Sequence, residues 1–142
     1  MVARGISTAA DTVLAVSLVA AAATALVVLA PVATPAPPDA GPALDALAVT
    51  TVAASSSTGP VRASLGTHLA AAATSPGGSY ARAVRAAVSA RLESLPGRAE
   101  ILVLNDASRA FAVGPTPPPD ADVSAASLPV GNATVVLRRW WA

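Results

Sequence analysis

Apolar positions are spread unevenly along the chain. From Thr12 to Ala30 (TVLAVSLVAAAATALVVLA) there is no charged side chain and no polar face at helical spacing. A helix over this run would be about 28 Å long, close to the ~30 Å hydrocarbon core of a bilayer. The pattern therefore predicts a transmembrane helix over residues 12–30, with the capping-box spacing Thr8-Ala9-Ala10-Asp11 starting it near Thr8 or Ala9. Pro31 ends it, and PVATPAPPDAGP reads as a stiff stalk over residues 31–43, because proline has no amide proton to donate.

Beyond the stalk the periods are those of a folded domain over residues 44–142. Leu47–Val52 (LAVTTV) alternates like a half-buried strand, entered through a helical turn at Leu44, and Ser55–Pro60 (SSSTGP) reads as loop. Ala63–Thr74 places Leu65, Leu69 and Ala72 on one helical face and stops at Pro76-Gly77-Gly78. Ser79–Leu95 carries the strongest amphipathic stripe, Tyr80, Val84, Ala87, Val88, Leu92 and Leu95, with Ser79 as cap and Pro96-Gly97 as stop. Arg82, Arg85, Ser89 and Glu93 fall off the stripe and are expected to face solvent. The period then changes to that of strands. Glu100–Leu104 and Arg109–Val113 flank the turn Asn105–Ser108, Gly114–Pro119 breaks the run, and Val123–Val130 and Ala133–Trp141 flank Gly131-Asn132. The expected fold is α+β: an N-terminal transmembrane helix, then a small domain of two helices on a four- to five-stranded antiparallel sheet.

Composition narrows the function. Hydrophobic residues make up 54% and charged residues 12%, well below the quarter or so usual in soluble domains, which fits a membrane segment and an alanine-rich domain. The net charge is +1 with the arginines scattered, so there is no basic field to hold nucleic acid. Without cysteine the domain has no disulfide or thiolate site, and its single histidine, His68, excludes a multi-histidine metal centre. No cofactor is expected. Arg4 together with the start amine makes the N-terminal end of the short leader, residues 1–11, positive, and the positive-inside rule then places it in the cytoplasm, the helix in contact with membrane lipid, and the C-terminal domain outside the cell.

Candidate chemistry is sparse. His68 could be a base oriented by Asp45 or Glu93 with a serine as nucleophile, or a partly buried structural histidine; no Gly-x-Ser-x-Gly or similar local signature favours the first, and no enzyme activity or small-molecule substrate is expected. Asn132-Ala133-Thr134 is an N-glycosylation sequon, but sequons are common by chance and Asn132 also reads simply as a hairpin turn residue. Trp140 and Trp141 are adjacent strand residues, so one ring is expected in the core and the other exposed, at a contact site or the membrane interface.

The stretch Arg4-Gly5-Ile6-Ser7-Thr8, followed at once by the uncharged helix, resembles the class III signal of archaeal type IV pilin-like proteins. That resemblance implies cleavage between Gly5 and Ile6, which would keep the helix and leave Asp11 as the sixth residue, either a helix cap or a partner in assembly. It extends to Leu65–Leu69 (LGTHL), the arginine-dotted helix Ala81–Leu92, and Val113–Ala126 before the strand that closes on Arg139-Trp140. Together these look like a group of uncharacterised haloarchaeal membrane proteins whose genes accompany those of a type IV pilus or secretion ATPase. The resemblance implies a non-enzymatic accessory subunit with other pilin-like subunits as partners. Two alternatives stay open: a signal-anchored envelope protein whose domain binds something else, and a secreted form cut near Val32 or Ala33, for which the apolar run is longer than a usual signal core.

Overall fold

Asp39 sets where the first helix begins. Its side chain accepts the Gly41 amide at 3.0 Å, and helix α1 runs Ala40–Val49. The computed structural model describes residues 34–142 except Ala107, and divides the chain into two units, Met1–Pro35 and Ala36–Ala142; the fold that follows is the second. The expected leader, transmembrane helix and first part of the stalk lie outside the described residues. Among those described, no helix is long and apolar enough to cross a membrane.

Helix α1 corrects two expectations. Pro42 and Ala43 belong to its first turns rather than to the stalk, since a proline in the first turn lacks an amide that would have no partner anyway. Leu47–Val49 are helical rather than extended: Ala40, Leu44 and Leu47 form a buried stripe, and the burial of that stripe outweighs the β-propensity of the valine and threonine residues. The strand starts only at Thr51, after Thr50 has closed the helix through bonds from its amide to Leu47 and from its hydroxyl to Ala46.

Strands β1 (Thr51–Ser56) and β2 (Gly59–Ser64) form an antiparallel hairpin in which Ser55 faces Pro60 and Ser56 faces Gly59. Most of the expected Ser55–Pro60 loop is therefore paired strand. Ser64 caps α2 (Leu65–Ala73) by accepting the Thr67 amide at 3.2 Å. Helix α3 spans Ser79–Leu92, with Gly78 rather than Ser79 in the cap position and no side-chain cap bond. Its buried face is Ala81, Val84, Val88 and Leu92; the last three belong to the expected stripe and Ala81 does not, while Tyr80, Ala87 and Leu95 of that stripe are half-buried.

The remaining strands, β3 (Arg98–Asn105), β4 (Ser108–Val113), β5 (Ser124–Val130) and β6 (Ala133–Trp140), form one antiparallel sheet in the order β4-β3-β6-β5. The fold is thus α+β, as expected, but with three helices and two sheets instead of two helices on a single sheet. Both expected C-terminal hairpins are present. In the first, Val103 pairs with Phe111 and Leu104 with Arg109, so Ala110 is an extra residue and the edge strand is bulged. Ile101, Val103, Phe111, Val113, Val135 and Leu137 line the buried face. Over that face α3 lies on β3 and β4, α1 on β5 and β6, and α2 between them, while the β1–β2 hairpin packs on α2 and α3.

Candidate functional site

The registers gather one set of ends. Arg98 opposes Trp140, Ile101 opposes Val113, and Ser124 opposes Arg139, so β3 and β5 begin where β4 and β6 finish. At this end of the sheet Ala36–Asp39 is tied down along its length. The Trp141 indole donates to the Ala36 carbonyl at 2.8 Å, Arg139 Nη1 donates to the Asp39 carbonyl at 2.7 Å, and the Ala40 amide donates to Ser124 Oγ at 3.1 Å. Nη2 of Arg139 meets the Pro96 carbonyl at 2.8 Å, so one planar guanidinium ties the linker and the α3–β3 connection to the last strand.

Arg139 is 5% exposed and sits in line with Val135 and Leu137 on the core-facing side of β6. Burial pushes its pKa down and the charge of nearby Asp39 pushes it back up. Its Nε has no protein partner. Gly97 makes the close approach possible: with φ +80°, a Cβ there would stand 2.7 Å from the Trp140 carbonyl oxygen and 3.2 Å from Pro38.

On the other face of the sheet at the same end lies Glu100, 1% exposed, opposite Arg138 in register. Arg138 Nη1 is 3.0 Å from Glu100 Oε2 in a charge contact not aligned as a hydrogen bond, and the Thr116 hydroxyl reaches Oε1 at a long 3.4 Å. Beside this, between the end of α3 and the starts of the Gly97–Ala99 and Gly114–Pro115 segments, is an open groove of about 330 Å³ with Glu93 and Arg98 on its wall. In the groove the Ser89 hydroxyl donates to Glu93 Oε1 at a long 3.5 Å.

His68 is fully buried, not partly, and both its nitrogens are engaged. Nε2 is 3.1 Å from the Val52 carbonyl, which can only accept, so Nε2 carries the proton and Nδ1 accepts from the Tyr80 hydroxyl. Asp45 on α1 and Glu93, the residue after α3, are exposed, and the partners of His68 are Val52 and Tyr80 in their place. Arg85 also departs from expectation. It is half-buried, donates to the Pro76 carbonyl at 2.7 Å, and lies 4.9 Å from the Phe111 ring centre.

Asn132 is exposed at the other end of the sheet, in the two-residue turn between Val130 and Ala133, where Gly131 supplies φ +61°. One ring is buried and one exposed, but not through strand alternation: Trp140 ends β6 on the side opposite Val135, Leu137 and Arg139, and Trp141, one residue past the strand, is 44% exposed and donates to Ala36. Gly5 and Ile6 lie outside the described residues. Among those described, no three metal-ligating side chains cluster. The linker clamp left one trace in sequence, an arginine at a core-facing place of the alternation in ATVVLRRWW.

No curated protein and no solved structure matches the chain. A family of unknown function, DUF7262, matches residues 3–141, nearly its full length, and the chain belongs to that family.

Proposed function

We propose that this protein is a non-enzymatic, pilin-like accessory subunit or assembly component of an archaeal type IV-like pilus or secretion system, held in the cell membrane by residues 12–30 with its C-terminal domain outside. The observation that carries the reading is Arg4-Gly5-Ile6 standing directly before an uncharged run long enough to span a bilayer. The clamp at the linker adds support. A subunit that presents its domain from an N-terminal helix needs a firm junction, and Ala36–Asp39 is bound to the last strand by Arg139 and Trp141.

Mass spectrometry of the mature N-terminus in the host tests it. Ile6 as first residue is expected. A start at Met1 or Val2 would replace this reading with a second, a signal-anchored envelope protein whose domain binds an unrelated ligand, which the groove beside Glu93 and Arg98 favours. A start near Thr34 would make the protein secreted and remove both.

A further inference from the structure

All three helices lie on one side of the four-stranded sheet, so its other side is bare except at the linker end, where the crossover from β4 to β5 reaches Glu100 through Thr116. The registers set out that bare side in rows. Arg109, Leu104, Thr134 and Pro129 form the row nearest the β5–β6 turn, and Ala112, Leu102, Val136 and Ser127 form the next. Their neighbours Val103, Phe111, Val135 and Leu137 are buried in the core, so by the two-residue period of a strand the rows point outward. Leu102, Leu104 and Val136 are only half-buried there, an apolar strip with no helix over it among the described residues.

The glycosylation sequon stands at the rim of this strip. The chain has two asparagines, and both are at the same end of the sheet, since Asn105 pairs with Ala133. Asn105 has its amide oxygen buried without a partner, and the residue two places on is Ala107. Asn132 differs on both counts: it is exposed, and Thr134, on the bare side of the sheet, follows at the spacing of a glycosylation acceptor. Gly131 supplies the positive φ of the turn, so the turn itself asks nothing of position 132 that aspartate or serine would not meet. There is also room for a large group, because a Cβ built on Gly131 would meet nothing within 4 Å.

We propose that Asn132 carries an N-linked glycan and that this glycan covers the bare apolar strip. The donor is a polyprenyl-phosphate-linked oligosaccharide. The Asn132 amide nitrogen bonds to C1 of the first sugar, the bond from C1 to the phosphate oxygen breaks, the phosphate leaves with the bonding electrons and one amide proton is released, so the transfer needs no oxidant or reductant. Strand β6 places the acceptor at the head of the strip: Val136 is four residues along from Asn132, about 13 Å, within reach of a glycan of a few sugars. Sugar rings present apolar C–H faces as well as hydroxyls, which suits a surface where Leu102, Leu104 and Val136 lie beside Thr134, Ser127 and Arg109. Covering the leucine and valine side chains removes apolar surface from water, and that holds the glycan down. The inference rests on the domain lying outside the cell, a placement it shares with the assembly reading, and it does not require assembly.

Mass spectrometry and thiol labelling of the full-length protein from host membranes test both parts. The peptide that holds Asn132 should be heavier than its sequence by a whole number of sugars. Asn132→Asp and Thr134→Val, which suit the turn and the strand, should each abolish the added mass, and Thr134→Ser should keep it. Because the chain has no cysteine, Ser127→Cys on the strip and Ala86→Cys on α3, both at exposed positions, report access to a bulky maleimide. Ser127→Cys should react several-fold faster in the Asn132→Asp and Thr134→Val backgrounds than in the glycosylated Thr134→Ser background, and Ala86→Cys equally fast in all three. A bare Asn132, a sugar that survives Thr134→Val, or equal Ser127→Cys rates would each overturn the proposal. The N-terminus is read from the same samples: Ile6 with a bare Asn132 sinks the glycan and leaves the assembly reading standing, whereas a start at Met1 or Val2 with the glycan present sinks the assembly reading alone.

Discussion

Arg139 Nη1 lies 2.7 Å from the carbonyl oxygen of Asp39, a residue one hundred positions earlier, and this contact joins the start of the folded unit to its last strand. Its partner contact to Pro96 makes the guanidinium a bracket between three parts of the chain. Arg139→Ala should cost about 3 kcal/mol, because two charged hydrogen bonds are lost in a buried place. Arg139→Lys should recover less than half of this, since an ammonium cannot span both carbonyls in a plane. Trp141→Phe removes only the bond to Ala36 and should cost less than about 1 kcal/mol. Urea unfolding of the three variants checks the order; equal losses would show that Arg139 does not act as a bracket.

Glu100 and Arg138 form a charge pair with its acid buried. Arg138→Ala alone should cost at least about 2 kcal/mol because it strands the carboxylate, while replacing both residues by leucine should be milder than that single change. A double-mutant cycle in urea reads this directly. If the double variant is the less stable of the two, the pair contributes net stability and the expectation fails.

The Tyr80 hydroxyl donates to His68, and burial raises the Tyr80 pKa above its ordinary value. A raised folded pKa means that the native state holds this proton more tightly than the unfolded chain. The contribution is fully present below about pH 10 and is lost as pH climbs through the higher folded value. Tyr80→Phe should cost about 1 kcal/mol at neutral pH and should flatten the decline in stability between about pH 9 and 11. Nitrogen NMR of wild type should find His68 in the Nε2–H form; the other tautomer would contradict the bond to Val52.

On α3 the structure separates side chains that are alike in sequence. Arg85→Ala should cost about 1 kcal/mol, through the Phe111 stacking and the Pro76 bond, and Arg91→Ala, which is exposed, less than about 0.5 kcal/mol. Val88→Asp should cost several kcal/mol and unfold the domain, since an unpaired charge would replace a fully buried methyl pair. Thermal melts rank the three; a loss at Arg91 equal to that at Arg85 would mean the stacking contributes nothing.

Elements governed by neighbours in sequence were legible without the structure. The Val84, Val88, Leu92 stripe forms a helix because residues three and four apart share a face, and Gly131-Asn132 turns the chain because glycine tolerates positive φ. Leu47–Val49 and Ser55–Pro60 were decided by tertiary contacts. The first segment is helical because Leu44 and Leu47 bury together with Ala40, and the second is extended because two short polar stretches pair with each other and pack on α2 and α3.

The candidate site shows the same division more sharply. Sequence alone determined that the chain has one histidine, no cysteine, scattered arginines, and an uncharged run before a domain of mixed helix and strand, because composition and short periods are properties of neighbouring residues. Only the tertiary structure decided that His68 has both nitrogens filled, that Arg85 stacks instead of facing water, and that Arg139 binds Asp39 and Pro96. Each of those contacts joins separate elements, and which carbonyl or ring a long side chain meets depends on how helices and strands are placed against one another. A charged residue looks the same in sequence whether it ends in solvent or as a bracket, because only packing removes the water that would otherwise solvate it.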